Sequence, residues 1–441
     1  MRWPPVCTDA MIPIMPAFLA PVAALLISMF VMQTGASLTN TLIPLRGYAE
    51  AFPTPLIGAM GTAYFGGFVI GCFAVPMAVR RVGYIRTFAS IAAIAAVSIM
   101  LMPVFTNSMV WIGLRVLNGA AASGLYAVIE AWLNDKTDKT HRGSTFSIYQ
   151  VLMFCGSLGG QNLLGLADIT APDLFIYASA LIILALIPVS MTTRQSPTPP
   201  TKIKLDLKWA ATLSPIAVFG IICVGFANGS TWGLAPVFMS SQGFSAQQTG
   251  WFMMAFLLGG ACGQFPVGRL SDRLDRRWTI MGVAATSSIF GLVLSFEYGG
   301  AFLTLAVTMF CFGFVSLTIY SLCVAHINDL CGPERRMEIA TAMLLFYSVG
   351  ASIGPLITST LIDLSSFATL YRVTAATHGA LALFAAWRMI RRPRKLGDDR
   401  PAFVVTMPRT APLVSPLDPM ARSDNTSRNP RESVQNTDQS I

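Results

Sequence analysis

The stretch from Trp111 to Asp135, an apolar run holding one arginine and one glutamate, constrains this chain more than any other segment. At 3.6 residues per turn, Arg115, Gly119, Ala122, Tyr126 and Glu130 fall on one stripe of a helix whose other faces are apolar. A charge among about 20 apolar residues costs roughly 2.5–3.5 kcal/mol on insertion scales unless it faces a bundle interior or water. The stripe therefore marks a solute or proton path, or an arginine bonded to a neighbouring helix's carbonyls. Arg115 and Glu130 lie about 22 Å apart along the helix axis, too far to pair.

The same stretch recurs. Gly119, Tyr126, Asn134, Asp135, Arg142, Gly156 and Gly160 reappear 194 residues later as Gly313, Tyr320, Asn328, Asp329, Arg336, Gly350 and Gly354. Seven identities at one offset predict a duplicated chain whose two halves run in parallel order.

Apolar residues make up 54% of the 441, charged residues only 12%, and mean hydropathy is +0.61. Such a chain reads as a polytopic membrane protein. Its net charge of +9 sits in short loops between apolar spans, where it signals topology rather than nucleic-acid binding. The eight cysteines have no metal-ligand spacing, and the three histidines lie far apart. With no catalytic cluster, no enzyme is predicted, and neither is a metal or cofactor.

Runs of about 20 apolar residues predict twelve spans near 18–44, 55–79, 85–104, 107–133, 143–167, 172–191, 213–240, 247–268, 278–297, 301–328, 338–362 and 366–390. The domain plan is a cytosolic start (1–16), an N-terminal six-helix half (17–191), a cytosolic linker (192–212), a C-terminal six-helix half (213–391) and a disordered cytosolic tail (392–441). Lys and Arg alternate with this count. One side receives Arg80, Arg81, Arg86, Lys136, Lys139, Arg142, Arg269, Arg273, Arg276, Arg277, Arg335 and Arg336, whereas the other has little more than Arg46 and Arg372. Both termini are therefore expected in the cytosol, with Glu50, Asp168, Asp173, Glu297 and Asp363 in outer loops.

The loop between spans 8 and 9 reads Gly268-Arg-Leu-Ser-Asp272-Arg273-Leu-Asp275-Arg276-Arg277. It resembles the G-x-x-x-D-R-x-x-R-R signature of the major facilitator superfamily, and the resemblance covers essentially residues 17–391. It implies an all-α fold of twelve helices in two six-helix halves, and a transporter working by alternating access. Gly268 is expected to let the turn close, and Asp272 to latch the inner face against the start of span 5 at Arg142. In the first half the matching loop has Arg80 and Arg81 but no Asp, which suggests a latch of reversed sign against Glu334 or Glu338; the alternative is surface charges that merely share a face. Arg115 and Gly119 resemble the family's R-x-x-x-G motif in span 4. Span 1 offers Gln33, Thr34, Thr39 and Asn40 but no acid, so any coupling falls to Glu130. Glu130-Ala-Trp132-Leu with Arg142-Gly143 is further similar to the YcaD-like bacterial branch. The drug-antiporter pattern G-x-x-x-G-P is missing from span 5 and appears instead at Gly350, Gly354 and Pro355.

The expected solute-binding set is Gln33, Arg115, Tyr126, Tyr149, Gln150, Asn228, Trp232 and Tyr320, a lining of amides and rings around one cation. It suits a neutral or weakly charged aromatic or heterocyclic solute, vitamin-like, riboflavin being one example, taken up across the bacterial inner membrane by a monomer. The alternatives are proton-coupled efflux of drugs or hydrophobic metabolites, and a non-transporting membrane receptor. A reporter active only in the cytosol should work when fused after Lys395 and fail when fused near Asp168; activity at both sites would rule out the twelve-span count.

Overall fold

The computed structural model describes Leu19 and residues 22–137, 141–191 and 206–391. The expected start (1–16), the linker up to residue 205 and the tail (392–441) lie outside the described residues. The described chain forms α1 (Ala23–Ala49), α2 (Thr54–Val82), α3 (Tyr84–Met100), α4 (Ser108–Lys136), α5 (Arg142–Asn162), α6 (Asp173–Leu184), α7 (Leu186–Ser190), α8 (Leu207–Leu213), α9 (Pro215–Ser240), α10 (Ala246–Arg273), α11 (Arg276–Phe296), α12 (Phe302–Ser316), α13 (Ile319–Asn328), α14 (Arg336–Asp363) and α15 (Thr369–Arg391). There is no strand among the described residues. The α6–α7 and α12–α13 pairs each continue one another, so every predicted span falls on a helix or a helix pair.

Nine of these helices are long and apolar enough to cross a membrane, counting each pair once; α3 is shorter, with 17 residues. Their ends are set by local chemistry. Asn107 accepts hydrogen bonds from the Met109 and Val110 amides, and Ser245 with Gln248 forms a reciprocal capping box. Pro215 opens α9 behind the Ser214 cap, where its missing N–H costs nothing.

Packing repeats between the halves. The pairs α1·α5, α2·α4, α3·α6 and α1·α6 of the first half correspond to α9·α14, α10·α12, α11·α15 and α9·α15 of the second. Glycines at matching places allow the closest approaches. A Cβ at Gly119 would fall on the Tyr64 carbonyl oxygen, and one at Gly313 on that of Phe256. Gly160 and Gly354 meet the Thr34 and Phe226 carbonyls in the same way. In lipid there is little hydrophobic drive between helices, so backbone-to-backbone contact carries association.

The halves meet through α2·α14 and α5·α10, with α1 and α2 against α9. On the side toward the end of the bundle carrying Glu50, Asp168 and Asp363, here the acidic end, Thr62 Oγ1, about two turns into α2, donates to the Ser352 carbonyl at 2.6 Å. Nearby, Gly58 abuts Ser359 and Pro355, Gly250 abuts the Gln161 carbonyl, and the Tyr48 and Phe367 rings meet edge to face at 5.7 Å. Arg46 is not a loop residue as expected: it lies in the last turn of α1, buried, donating to the Ile169 carbonyl at 2.7 Å and paired with Glu50. A long arginine stem packs in the bundle while its head reaches the rim.

Gly119→Val should therefore push α2 and α4 apart and cost about 1–3 kcal/mol, as overpacking does. Gly66→Ala, which meets nothing within 4 Å, should be neutral in thermal unfolding. Equal stability of the two variants would contradict this packing.

Candidate solute site

The stripe of α4 that carries Arg115, Tyr126 and Glu130 faces inward. Arg115 is 6% exposed; its Nε donates to the Met60 carbonyl at 3.4 Å and its Nη1 to Asn118 Oδ1 at 3.3 Å. Its guanidinium also lies 4.3 Å from the centroid of the Tyr64 ring. These bonds are long for charge-assisted ones, and the ring supplies a cation–π contact.

Arg115 lines a cavity between the halves, together with Asn40, Tyr64 and Phe65 on one side and Gly229, Trp232 and Gly233 of α9 on the other. A second, small cavity lies wholly within the first half. It is walled by Thr39, Asn40, Tyr64, Asn118 and Tyr126 and floored by apolar residues of α1, α3, α4 and α6. Asn40 and Tyr64 border both.

Much of the predicted polar lining is engaged in holding helices together. Tyr126 donates to Gln33 Oε1 at 2.7 Å, and Gln33 Nε2 donates to Ser157 at 2.7 Å, tying α4 to α1 and α1 to α5. Gln161, buried, bridges Ser37 and Thr41. Tyr149 donates to Glu130 Oε1 at 2.8 Å, both groups fully enclosed. Gln150 is 7% exposed, and neither atom of its amide finds a partner among the described residues. Asn228 accepts a long bond from Ser316, whereas Tyr320 stacks edge to face on Tyr347 at 5.5 Å. Of the eight expected binding residues, Arg115 and Trp232 reach the cavity between the halves, Tyr126 the inner one, and the other five line neither. Asn118 escaped the sequence reading, although its position one turn from Arg115 on α4 could have flagged it.

At the opposite, basic end, Gly268 does not form the turn. It lies inside α10, and the chain turns after Arg273, where Asp275 caps α11 through the Arg277 amide at 3.0 Å and pairs with the Arg277 side chain. Arg276, 2% exposed, bridges Asp329 at 2.7 Å and Asp272 at 3.5 Å. In the first half Tyr84 opens α3 as Arg276 opens α11, and Asp135, the counterpart of Asp329, acts on it. Glu338 is taken up by Arg335 at 2.8 Å and by the Asp206 amide at 2.9 Å. Arg80, Arg81 and Arg273 are exposed, and Arg142 is the first residue of α5. Among the described residues there is no cluster able to hold a metal.

If Arg115 serves the cavity rather than the fold, Arg115→Ala should leave thermal stability nearly intact while apparent solute affinity falls about tenfold or more, the loss of a charge-assisted bond worth roughly 1.5–3 kcal/mol. Arg115→Lys should also be poor, lacking the planar fork. Unchanged affinity in a well-folded Arg115→Ala protein would end that assignment.

Comparison with known proteins supports the fold. The model of the Major Facilitator Superfamily matches residues 25–217 and 217–422. An uncharacterized MFS-type transporter of Yersinia enterocolitica is 25% identical over 384 residues, covering 86% of this chain and 97% of that protein. The uncharacterized MFS-type transporter YcaD of Escherichia fergusonii is 24% identical over 355 residues, covering 79% and 91%. Among solved structures, the nucleoside transporter NupG superposes with a TM-score of 0.71 at 13% identity, covering 85% of this chain and 100% of that one. A bacterial homologue of the lysosomal transporter Spinster gives 0.66 at 15%, covering 84% and 99%. The chain thus belongs to the Major Facilitator Superfamily, on its YcaD-like branch, and is a membrane transporter rather than an enzyme.

Proposed function

We propose that this transporter takes up a neutral or weakly charged aromatic or heterocyclic solute, a riboflavin-like vitamin, by rocking its two halves about the cavity between them. The observation that carries the reading is that cavity's wall: the Tyr64, Phe65 and Trp232 rings, the Asn40 amide and the Arg115 guanidinium meet at the junction of α1, α2, α4 and α9. Rings stack on a flat solute, and the amide and guanidinium orient its polar edge. The reading includes twelve crossings of the bacterial inner membrane, both termini in the cytoplasm and a monomer as the working unit. The charged groups Asp272, Arg273, Arg276 and Arg277 with Arg142, and Arg80 and Arg81 with Glu338, form its gating set at the basic end. A carboxylate against a helix N-terminus gains about 0.3–1 kcal/mol, little enough to break on each cycle.

Proton-coupled efflux is the second reading, favoured by one observation: the buried Glu130 carboxylate, held by Tyr149, could carry a proton. Radiolabelled riboflavin offered to proteoliposomes tests the first. Uptake that saturates and falls in Trp232→Ala is expected. Entry no faster than in protein-free liposomes would overturn the vitamin-uptake reading, and extrusion driven by an acidic lumen would favour the second.

A further inference from the structure

The short helix α8 stands at the basic end, in a stretch expected to be linker, yet it is built into the packing of the second half. Ala210 is fully buried, and Trp209, Ala211 and Leu213 pack against the core that holds Ile216 and Ile339. Both ends are tied. Asp206 caps α8 through the Trp209 amide at 2.9 Å, and behind it Ser214 caps α9 through the Ala217 amide at 3.3 Å. Two contacts then join α8 to the start of α14. The Asp206 amide donates to Glu338 Oε1 at 2.9 Å, and the Arg335 guanidinium lies over the Trp209 ring, 3.4 Å from its centroid.

These contacts decide what Glu338 can reach. Its Oε2 accepts from Arg335 Nε at 2.8 Å, and its Oε1 accepts from Arg335 Nη2 at 3.0 Å as well as from the Asp206 amide. Both oxygens are therefore occupied within the second half. Helix geometry nevertheless aims this position at the first half. Thr62 of α2 meets Ser352 of α14; Arg80 lies about five turns beyond Thr62 and Glu338 about four turns before Ser352, so both stand on the faces through which α2 and α14 pack. The repeat has no equivalent, since the first half carries His141 and Ser144 where the second carries Arg335 and Glu338.

We infer that α8 is a strap that keeps Glu338 on the second half, and that its release frees the carboxylate for Arg80 or Arg81, so that the docking of α8 sets how readily the basic end closes. The inference rests on the gating set proposed above and adds the element that controls it. Trp209 holds Arg335 in the pose that grips Glu338 with two parallel bonds, so losing the ring loosens the carboxylate along with α8.

Hydrogen exchange and spin-label distances test it together, without any solute. In Trp209→Ala the backbone amides of α8 should exchange about tenfold faster, as those of an element cut loose from its packing do. The population with a short separation between labels at Ser144 and Arg269 should rise by up to about fivefold, the worth of an exposed ion pair gained across the halves. Trp209→Phe, which keeps a ring under Arg335, should restore both readings. Adding Glu338→Gln to Trp209→Ala should leave exchange fast and abolish the shift, which separates a released carboxylate from a helix that only crowds the gap. Exchange unchanged in Trp209→Ala would overturn the docking; no shift, or a shift that survives Glu338→Gln, would overturn the strap. The latch is read on its own in Arg80→Gln/Arg81→Gln, which should lengthen the separation. If it does and Trp209→Ala shifts nothing, the gating set stands and the strap falls; no lengthening brings down the gating set and the strap with it.

Discussion

Helix backbones brought into direct contact are what the rest of this structure depends on. In a bilayer, association gains little from burying apolar side chains, because lipid is as apolar as they are. Stability must come from close packing, and close packing needs residues without a side chain at the crossing points. Gly119 against Tyr64 and Gly160 against Thr34 in the first half have their counterparts in Gly313 against Phe256 and Gly354 against Phe226 in the second. The duplication visible in the sequence is thus a duplication of contacts. At these glycines α2 and α4, and likewise α10 and α12, leave no room for a Cβ between them. Rigid halves are what a rocking mechanism requires.

The second constraint is that polar groups at membrane depth must find partners within the protein. The first half meets it with a chain of side-chain bonds, Tyr126 to Gln33 to Ser157, with Gln161 holding Ser37 and Thr41 alongside. These groups are consumed by the fold. What lines the cavity between the halves is a smaller set, the Asn40 amide and the Tyr64, Phe65 and Trp232 rings, with Arg115 already held by the Met60 carbonyl and Asn118. A polar residue on an inward stripe is therefore not by itself a binding residue.

This explains how far the sequence could be read. Periodicity and run length put every expected span on a helix or helix pair, while α8 arose inside the expected linker, and the charged stripe of α4 does face inward. The repeat offset located the matching contacts. Assigning individual side chains went less well, since Gln33 and Tyr149 are directed by partners 124 and 19 residues away, Ser157 and Glu130, which spacing along one helix does not reveal. Gly268 resembled a turn residue within its motif, yet α10 runs five residues past it before the Asp275 cap begins α11. Arg46 looked like a loop cation because it lies near the end of an apolar run; its stem is long enough to stay in the helix while its head reaches Glu50 and the Ile169 carbonyl.

The two ends of the bundle differ in what joins the halves. At the acidic end the join is close, through Thr62 with Ser352 and the glycine contacts around Gly58 and Gly250. At the basic end Asp272 pairs within its own half, through Arg276. The central claim is that the halves pivot as rigid bodies, one end opening as the other closes. Spin-label distances test it without any solute, using one pair at Thr54 and Leu364 on the acidic end and another at Ser144 and Arg269 on the basic end, read before and after Thr62→Val removes the bond to Ser352. The account predicts that the acidic-end separation lengthens while the basic-end separation shortens. Two separations that lengthen together, or neither changing, would contradict it.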